Sequence, residues 1–142
     1  MEAWLIYALI SAFMAALVAV FGKIGLQGID SGAATAIRAV IMALFLVGAA
    51  YFQAKGEQIQ NILSDRRALL WIALSGIAGA LSWLFYFLAL KYGKVSQVAP
   101  VDKLSVVIAA GLAVVFLHER ISLTASGGIL LITIGVIMVA FG

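Results

Sequence analysis

Five long apolar stretches that contain very few charged residues constrain this chain more than any other feature. They cover about residues 4–21, 33–52, 69–90, 95–117 and 123–141. A bilayer core of about 30 Å is crossed by a helix of about 20 apolar residues, because each helical residue rises about 1.5 Å. Each stretch is therefore predicted to cross a membrane as a helix. A mean hydropathy of +1.20 and a charged fraction of 11% agree with that prediction.

The connections between these stretches are short, so we predict one transmembrane domain over residues 1–142 and no extramembrane domain. The predicted fold class is all-α, an integral membrane bundle of five helices in the lipid bilayer of the cell (inner) membrane. The first stretch opens with Glu2 and not with basic residues, so we expect a retained helix and not a signal peptide. No strand pattern competes with the helices.

Several classes of function lose support from the composition. The chain has no cysteine, and its one histidine, His118, lies beside Glu119 without the spacing of a zinc site, so we expect no metal and no cofactor. The basic residues between the spans follow from insertion into a membrane, so the pI near 9.5 does not indicate nucleic-acid binding. The sequence shows neither a nucleophile paired with a base nor a phosphate-binding loop, so we do not expect an enzyme.

The loops carry signals that end one helix and begin the next. Ser31 or its neighbour can cap the second helix, and Ser122 can cap the last. Residues 53–68 form the longest connection, where Ile59, Ile62 and Leu63 recur at helical spacing among polar residues. This pattern predicts one or two helical turns on the membrane surface.

The basic residues of the loops are almost evenly divided between the two sides of the membrane. Four lie on the side that holds the N-terminus and the loops after the second and fourth spans: Lys55, Arg66, Arg67 and Arg120. Three lie on the other side: Lys23, Lys91 and Lys94. Orientation is set by an excess of Lys and Arg on one side, so this balance predicts insertion both ways. Two oppositely oriented copies would form a ten-helix inverted-repeat transporter, an antiparallel homodimer; the alternative is one fixed topology with a parallel or different partner.

Three ionisable side chains lie well inside the predicted spans, where each costs about 2.5–3.5 kcal/mol at a helix centre. Arg38 is about 8 Å deep and Asp102 about 11 Å deep from the same side, so we expect them to meet. Lys103 follows Asp102 at about 100° around the helix, and we expect it to line a cavity or contact another helix. Trp83 and Tyr86 reach similar depths, about 11 Å and 6 Å.

These five side chains are the predicted substrate-binding site: Arg38, Trp83, Tyr86, Asp102 and Lys103. Two alternatives stay open, a salt bridge from Arg38 to Asp102 that only locks two helices together, and cationic side chains that extend to the lipid headgroups. Pro100 predicts a helix break at the start of the fourth span. Gly128 and Gly135 share one face of the last helix and predict close packing, within the chain or across a dimer.

The sequence also resembles a known family. Residues 89–100 (ALKYGKVSQVAP), 102–105 (DKLS) and 117–122 (LHERIS), followed by a glycine-bearing last helix, resemble the EamA-type drug/metabolite transporters, above all their single-repeat, five-helix members. The resemblance implies ten helices per working unit and alternating access without ATP hydrolysis. The last helix is also similar to that of the small multidrug resistance family, where its glycine spacing serves dimer contact. That family uses a buried glutamate in its first helix, and the first span here has no acid, so that site is not expected.

Together these features predict a secondary transporter or exporter of a small anionic or zwitterionic metabolite. The embedded charges sum to +1 per chain, which favours an anion held by Arg38 or Lys103. One alternative is proton-coupled export, or flipping, of cationic or lipid-like cargo through Asp102. Another is a membrane assembly subunit that transports nothing.

Overall fold

Seven helices make up the part of the chain that the computed structural model describes, residues 3–142. They are α1 (Ala3–Gly25), α2 (Ser31–Phe52), α3 (Gly56–Ser64), α4 (Arg66–Tyr92), α5 (Val95–Asp102), α6 (Leu104–Leu117) and α7 (Leu123–Phe141). Five segments are long and apolar enough to cross a membrane: α1, α2, α4, the consecutive helices α5 and α6, and α7. No strand occurs among the described residues. The prediction of an all-α protein with five membrane helices is confirmed.

The helices α1, α2 and α4 are longer than the predicted spans, because a helix continues past its apolar part until its end is capped, whereas the last two spans have the predicted bounds. The start of α4 is the clearest case. Asp65 Oδ1 accepts hydrogen bonds from the backbone N–H groups of Arg67 (2.9 Å) and Ala68 (3.1 Å). The first N–H groups of a helix have no partner within it, so this carboxylate allows α4 to begin at Arg66 and not at residue 69.

Two further caps agree with the sequence. Asp30, the neighbour of Ser31, caps α2 by accepting a hydrogen bond from Ala33 N–H at 2.9 Å. Ser122 Oγ accepts from Ala125 N–H at 3.1 Å and caps α7, as predicted. The connection over residues 53–68 contains the nine-residue helix α3, so the predicted turns there form a helix.

The chain divides into two units, one comprising residues up to Gly22 together with Tyr92–Gly142, the other Lys23–Lys91. In the second unit, Lys23 Nζ donates a hydrogen bond to the carbonyl oxygen of Leu90 at 2.5 Å. Leu90 is fully buried, and its carbonyl belongs to the last turn of α4. Carbonyl oxygens in the last turn receive no hydrogen bond from an N–H group of the same helix. Lys23 thus satisfies a helix end that would otherwise lack a donor.

In the first unit, α7 packs against both α5 and α6. The fourth span is interrupted at Lys103, where Lys103 N–H bonds to Pro100 O (2.9 Å) and Val106 N–H to Lys103 O (3.0 Å). These bonds join residues three apart, the tighter turn typical of an interruption in an α-helix. Pro100 itself lies inside α5. The helix break was predicted at Pro100, and the interruption lies three residues later, at Lys103. The ring of Pro100 offers no N–H to Ser96 O, and α5 ends only two residues later.

Gly128 and Gly135 lie on α7 without close neighbours. A Cβ added at either position would meet no atom within 4 Å beyond the helix itself. Among the described residues of their own unit, these glycines therefore do not mark a tight contact with another helix.

Candidate functional site

The aromatic side chains near the end of α4 form one cluster on one face of the helix. Trp83, Tyr86 and Phe87 are three and four residues apart, the spacing that brings helical side chains together. The rings of Trp83 and Tyr86 lie 5.6 Å apart at 87°, and those of Trp83 and Phe87 lie 5.9 Å apart at 61°. Edge-to-face pairs at these distances are favourable and stiffen the cluster. The cluster presents the face of Trp83 to α2.

Arg38 of α2 lies over this cluster. Its Cζ atom is 3.6 Å from the centroid of Trp83 and 5.3 Å from that of Phe87. A guanidinium over an indole face gains about 0.5–2 kcal/mol from the negative ring quadrupole. Among the described residues of the unit Lys23–Lys91, the guanidinium of Arg38 forms no hydrogen bond or ion pair with an acidic side chain. The N–H groups of the guanidinium, which bond best to planar anions, are therefore not used by this unit.

A cavity of about 680 Å³ lies between α2 and α4 beside this arginine. It is lined from α2 and α4 by small and aliphatic residues together with Thr35, Arg38 and Trp83: Gly32, Ala36, Ala39, Met42, Ala43, Leu46, Gly76, Ile77, Gly79, Ala80, Leu81 and Leu84. Thr35 Oγ1 donates to Ser31 O at 2.7 Å, so its hydroxyl hydrogen already has an acceptor. Arg38 is the one ionisable residue of this lining.

The other two predicted charges belong to the first unit. Lys103 Nζ lies 3.2 Å from Asp102 Oδ2, and the side chains are 52% and 33% exposed. The ion pair between Lys103 and Asp102 was not predicted. Asp102 ends α5 and Lys103 follows it before α6, and the long lysine side chain folds back to reach the carboxylate of its neighbour. Asp102 thus has a cationic partner within its own unit.

The structure brings together three of the five predicted site residues, Arg38, Trp83 and Tyr86, in the second unit, and pairs Asp102 with Lys103 in the first. Arg38 and Asp102 belong to different units, so the contact expected between them remains a prediction. Phe87, 4% exposed, completes the aromatic cluster and was not predicted. Its spacing of four residues from Trp83 was the available signal, but an apolar side chain in an apolar span does not stand out.

Comparison with known proteins identifies a family and two relatives. The EamA-like transporter family model matches residues 2–141. A Sinorhizobium protein described as an uncharacterized transporter in the cobO 3′ region is 42% identical over 139 residues, which cover 98% of this chain and 97% of that protein. An uncharacterized protein of Methanocaldococcus jannaschii is 32% identical over 79 residues, covering 56% of this chain and 58% of that protein. No solved structure matches the chain. With the family match and five membrane helices, the chain belongs to the EamA-like transporter family and is a multi-pass membrane transporter.

Proposed function

We propose that this protein is a secondary transporter, of the export or exchange type, for a small anionic or zwitterionic metabolite in the cell (inner) membrane. The observation that carries the proposal is the guanidinium of Arg38, which stacks on Trp83 at 3.6 Å beside a cavity of about 680 Å³. Pockets for small molecules typically occupy about 300–1,000 Å³ and hold a few polar groups that orient the ligand. Arg38 would be that group here.

The energetics of Arg38 favour a ligand over a purely structural role. An arginine near a helix centre costs about 2.5–3.5 kcal/mol on insertion scales. Stacking on an aromatic ring returns about 0.5–2 kcal/mol, so Trp83 offsets only part of that cost. An anion with two oxygens can bond to the guanidinium in bidentate fashion and supply the missing counter-charge. Arg38 is therefore the proposed anchor of the substrate.

The proposed working unit is an antiparallel homodimer of ten helices that operates by alternating access. The near-equal loop charges, four against three, support insertion in both orientations. An odd number of spans then gives two copies the inverted relation found in many secondary transporters. Gly128 and Gly135 have open space beside them, which suits the close approach of a helix from a second copy.

Flux through proteoliposomes tests this proposal. Purified protein is first screened by thermal shift against carboxylates, phosphates and amino acids, since a ligand of the folded state raises its apparent stability. Each compound that stabilises the protein is then followed as concentration-driven uptake. We expect uptake of an anionic or zwitterionic compound by the wild type, loss of uptake in Arg38→Gln, and partial retention in Arg38→Lys. Uptake of cations alone, or uptake unchanged in Arg38→Gln, contradicts the proposal.

A second candidate function rests on the interruption of the fourth span. Asp102 and Lys103 lie where α5 gives way to α6, and irregular backbone at this depth is tolerated mainly beside a cavity or within protein. A carboxylate there could carry a proton during export, or flipping, of a cationic or lipid-like compound. This alternative requires a flux that depends on pH and disappears in Asp102→Asn while Arg38→Gln retains it.

A further inference from the structure

The cavity between α2 and α4 combines one cation with walls that are otherwise nearly all apolar. We propose that the transported compound is an amphiphilic organic anion: its charged group pairs with Arg38, and its apolar body lies along the cavity between the two helices. This inference rests on the proposed function, because it specifies the substrate class of the same site. It also narrows that function, since it disfavours compounds with a second charge.

The position of the charge within the cavity supports an elongated apolar body. From Arg38 to Leu46 the lining of α2 extends over eight residues, which is about 12 Å along the helix. The lining of α4 extends from Gly76 to Leu84, again eight residues and about 12 Å. Trp83 lies at one end of this α4 segment, beneath Arg38. Both helices thus supply an apolar wall of the same length beyond the guanidinium.

The chemistry of the walls disfavours hydrophilic anions. A small anion such as acetate could pair with Arg38, but it would leave most of the apolar wall without a partner. A zwitterion would place its second charge against alanine, glycine and leucine, where a charged group loses hydration and gains no hydrogen bond. An apolar body, by contrast, gains from every part of the wall that it covers. The apolar walls therefore favour a ligand with an apolar body, and Arg38 favours a ligand with a negatively charged group.

A membrane lipid fits this arrangement less well than a transported amphiphilic anion. Arg38 is seven residues from the start of α2, about 10 Å along the helix, and Trp83 is nine residues from the end of α4, about 14 Å. The stacking keeps the guanidinium at the level of Trp83 and away from the helix ends. A lipid phosphate at the headgroup level would have to sink by that distance to reach it. We therefore assign the cavity to a transported amphiphilic anion and not to a membrane lipid.

Small residues make the shape of the cavity testable. A Cβ added at Gly79 meets nothing within 4 Å, so Gly79→Leu can be accommodated while its side chain takes space from the cavity. Gly111 on α6 has the same open surroundings and does not line the cavity, so Gly111→Leu is the matched control. Arg38→Gln removes the charge and leaves the walls intact.

Binding is measured by isothermal titration calorimetry on the purified full-length protein in detergent. The probes are phenylbutyrate, butyrate (the same charge without the ring), phenylbutyramide (the same body without the charge) and phenylbutylamine (the opposite charge). We expect phenylbutyrate to bind at least about tenfold more tightly than each of the others, as burial of a phenyl ring and one charge-assisted contact imply. Arg38→Gln should reduce phenylbutyrate binding to the level of the amide. Gly79→Leu should weaken phenylbutyrate at least about tenfold and leave butyrate unchanged, with Gly111→Leu like the wild type.

The outcomes separate this inference from the proposed function. One outcome would refute the amphiphilic substrate but leave an anion transporter. In that outcome butyrate binds as tightly as phenylbutyrate, its binding requires Arg38, and Gly79→Leu does not weaken the binding of phenylbutyrate. The absence of Arg38-dependent binding for every anion in the thermal-shift panel would overturn both. Native mass spectrometry adds one more check: a phospholipid kept by the wild type, lost from Arg38→Gln and not displaced by phenylbutyrate would make the cavity a lipid site and refute the inference. Retained butyrate binding in Gly79→Leu also certifies that this variant is folded.

Discussion

Replacing Lys23 with methionine should destabilise the protein through the end of α4. Lys23 Nζ donates to Leu90 O at 2.5 Å, and Leu90 is fully buried. Methionine retains an apolar side chain of similar length but leaves this carbonyl without its donor. Hydrogen bonds to charged groups contribute about 1.5–3 kcal/mol, and a cation near a helix C-terminus adds about 0.3–1 kcal/mol from the helix dipole. We expect the free energy of unfolding to fall by about 2–4 kcal/mol.

Equilibrium unfolding of purified protein by a denaturing detergent, followed by circular dichroism, measures this loss. Lys55→Met is the matched control, because Lys55 is exposed and its side chain makes no capping bond to α3. That variant should stay within about 0.5 kcal/mol of the wild type. Lys23→Arg keeps a cationic donor and the loop charge balance, so it should recover part of the stability. Equal destabilisation by Lys23→Met and Lys55→Met would refute the role assigned to the Leu90 carbonyl.

Two further predictions address topology and the second charged site. A cysteine introduced at Gln58, in the exposed helix α3, should be labelled by impermeant reagents from both sides of the membrane, because four loop charges face three; labelling from one side only excludes dual topology. If the second candidate function holds, Asp102→Asn should abolish or sharply alter flux in proteoliposomes, because asparagine cannot carry a proton, while the protein stays inserted and keeps the wild-type size by gel filtration; unchanged flux excludes a proton-carrying role of Asp102.

Much of the fold follows from sequence because the bilayer imposes a simple rule. Every backbone polar group must be satisfied within the membrane, so apolar stretches of about 20 residues become helices. Helix ends follow less directly, since they depend on single hydrogen bonds. Ser122 was recognised as a cap because it directly precedes an apolar run. Asp65 was not, because the charged residues Arg66 and Arg67 separate it from the apolar stretch, although both belong to α4.

Only part of the candidate site could be predicted from the sequence. Arg38 stands out in an apolar span, and Trp83 lies at a similar depth, so their association could be inferred. The cavity could not, because its walls of alanine, glycine and leucine have the composition of any membrane helix. The pairing of Lys103 with Asp102 was not predicted, because consecutive helical residues point about 100° apart and the reach of the long lysine side chain was not considered.

The charges within the spans can be arranged in two ways, and stability distinguishes them. If Arg38 and Asp102 form a structural ion pair between the units, Arg38→Gln leaves a carboxylate without that partner and should destabilise the fold by about 3–5 kcal/mol, while adding Asp102→Asn should restore much of the loss. If a substrate anion is the counter-charge of Arg38, Arg38→Gln removes an isolated cation and should leave stability unchanged or improve it. Asp102 already has Lys103 at 3.2 Å, so its charge does not require Arg38. That pairing, together with the stacking of Arg38 on Trp83, favours the second arrangement. In that case the double variant Arg38→Gln, Asp102→Asn should be stable and should still transport nothing.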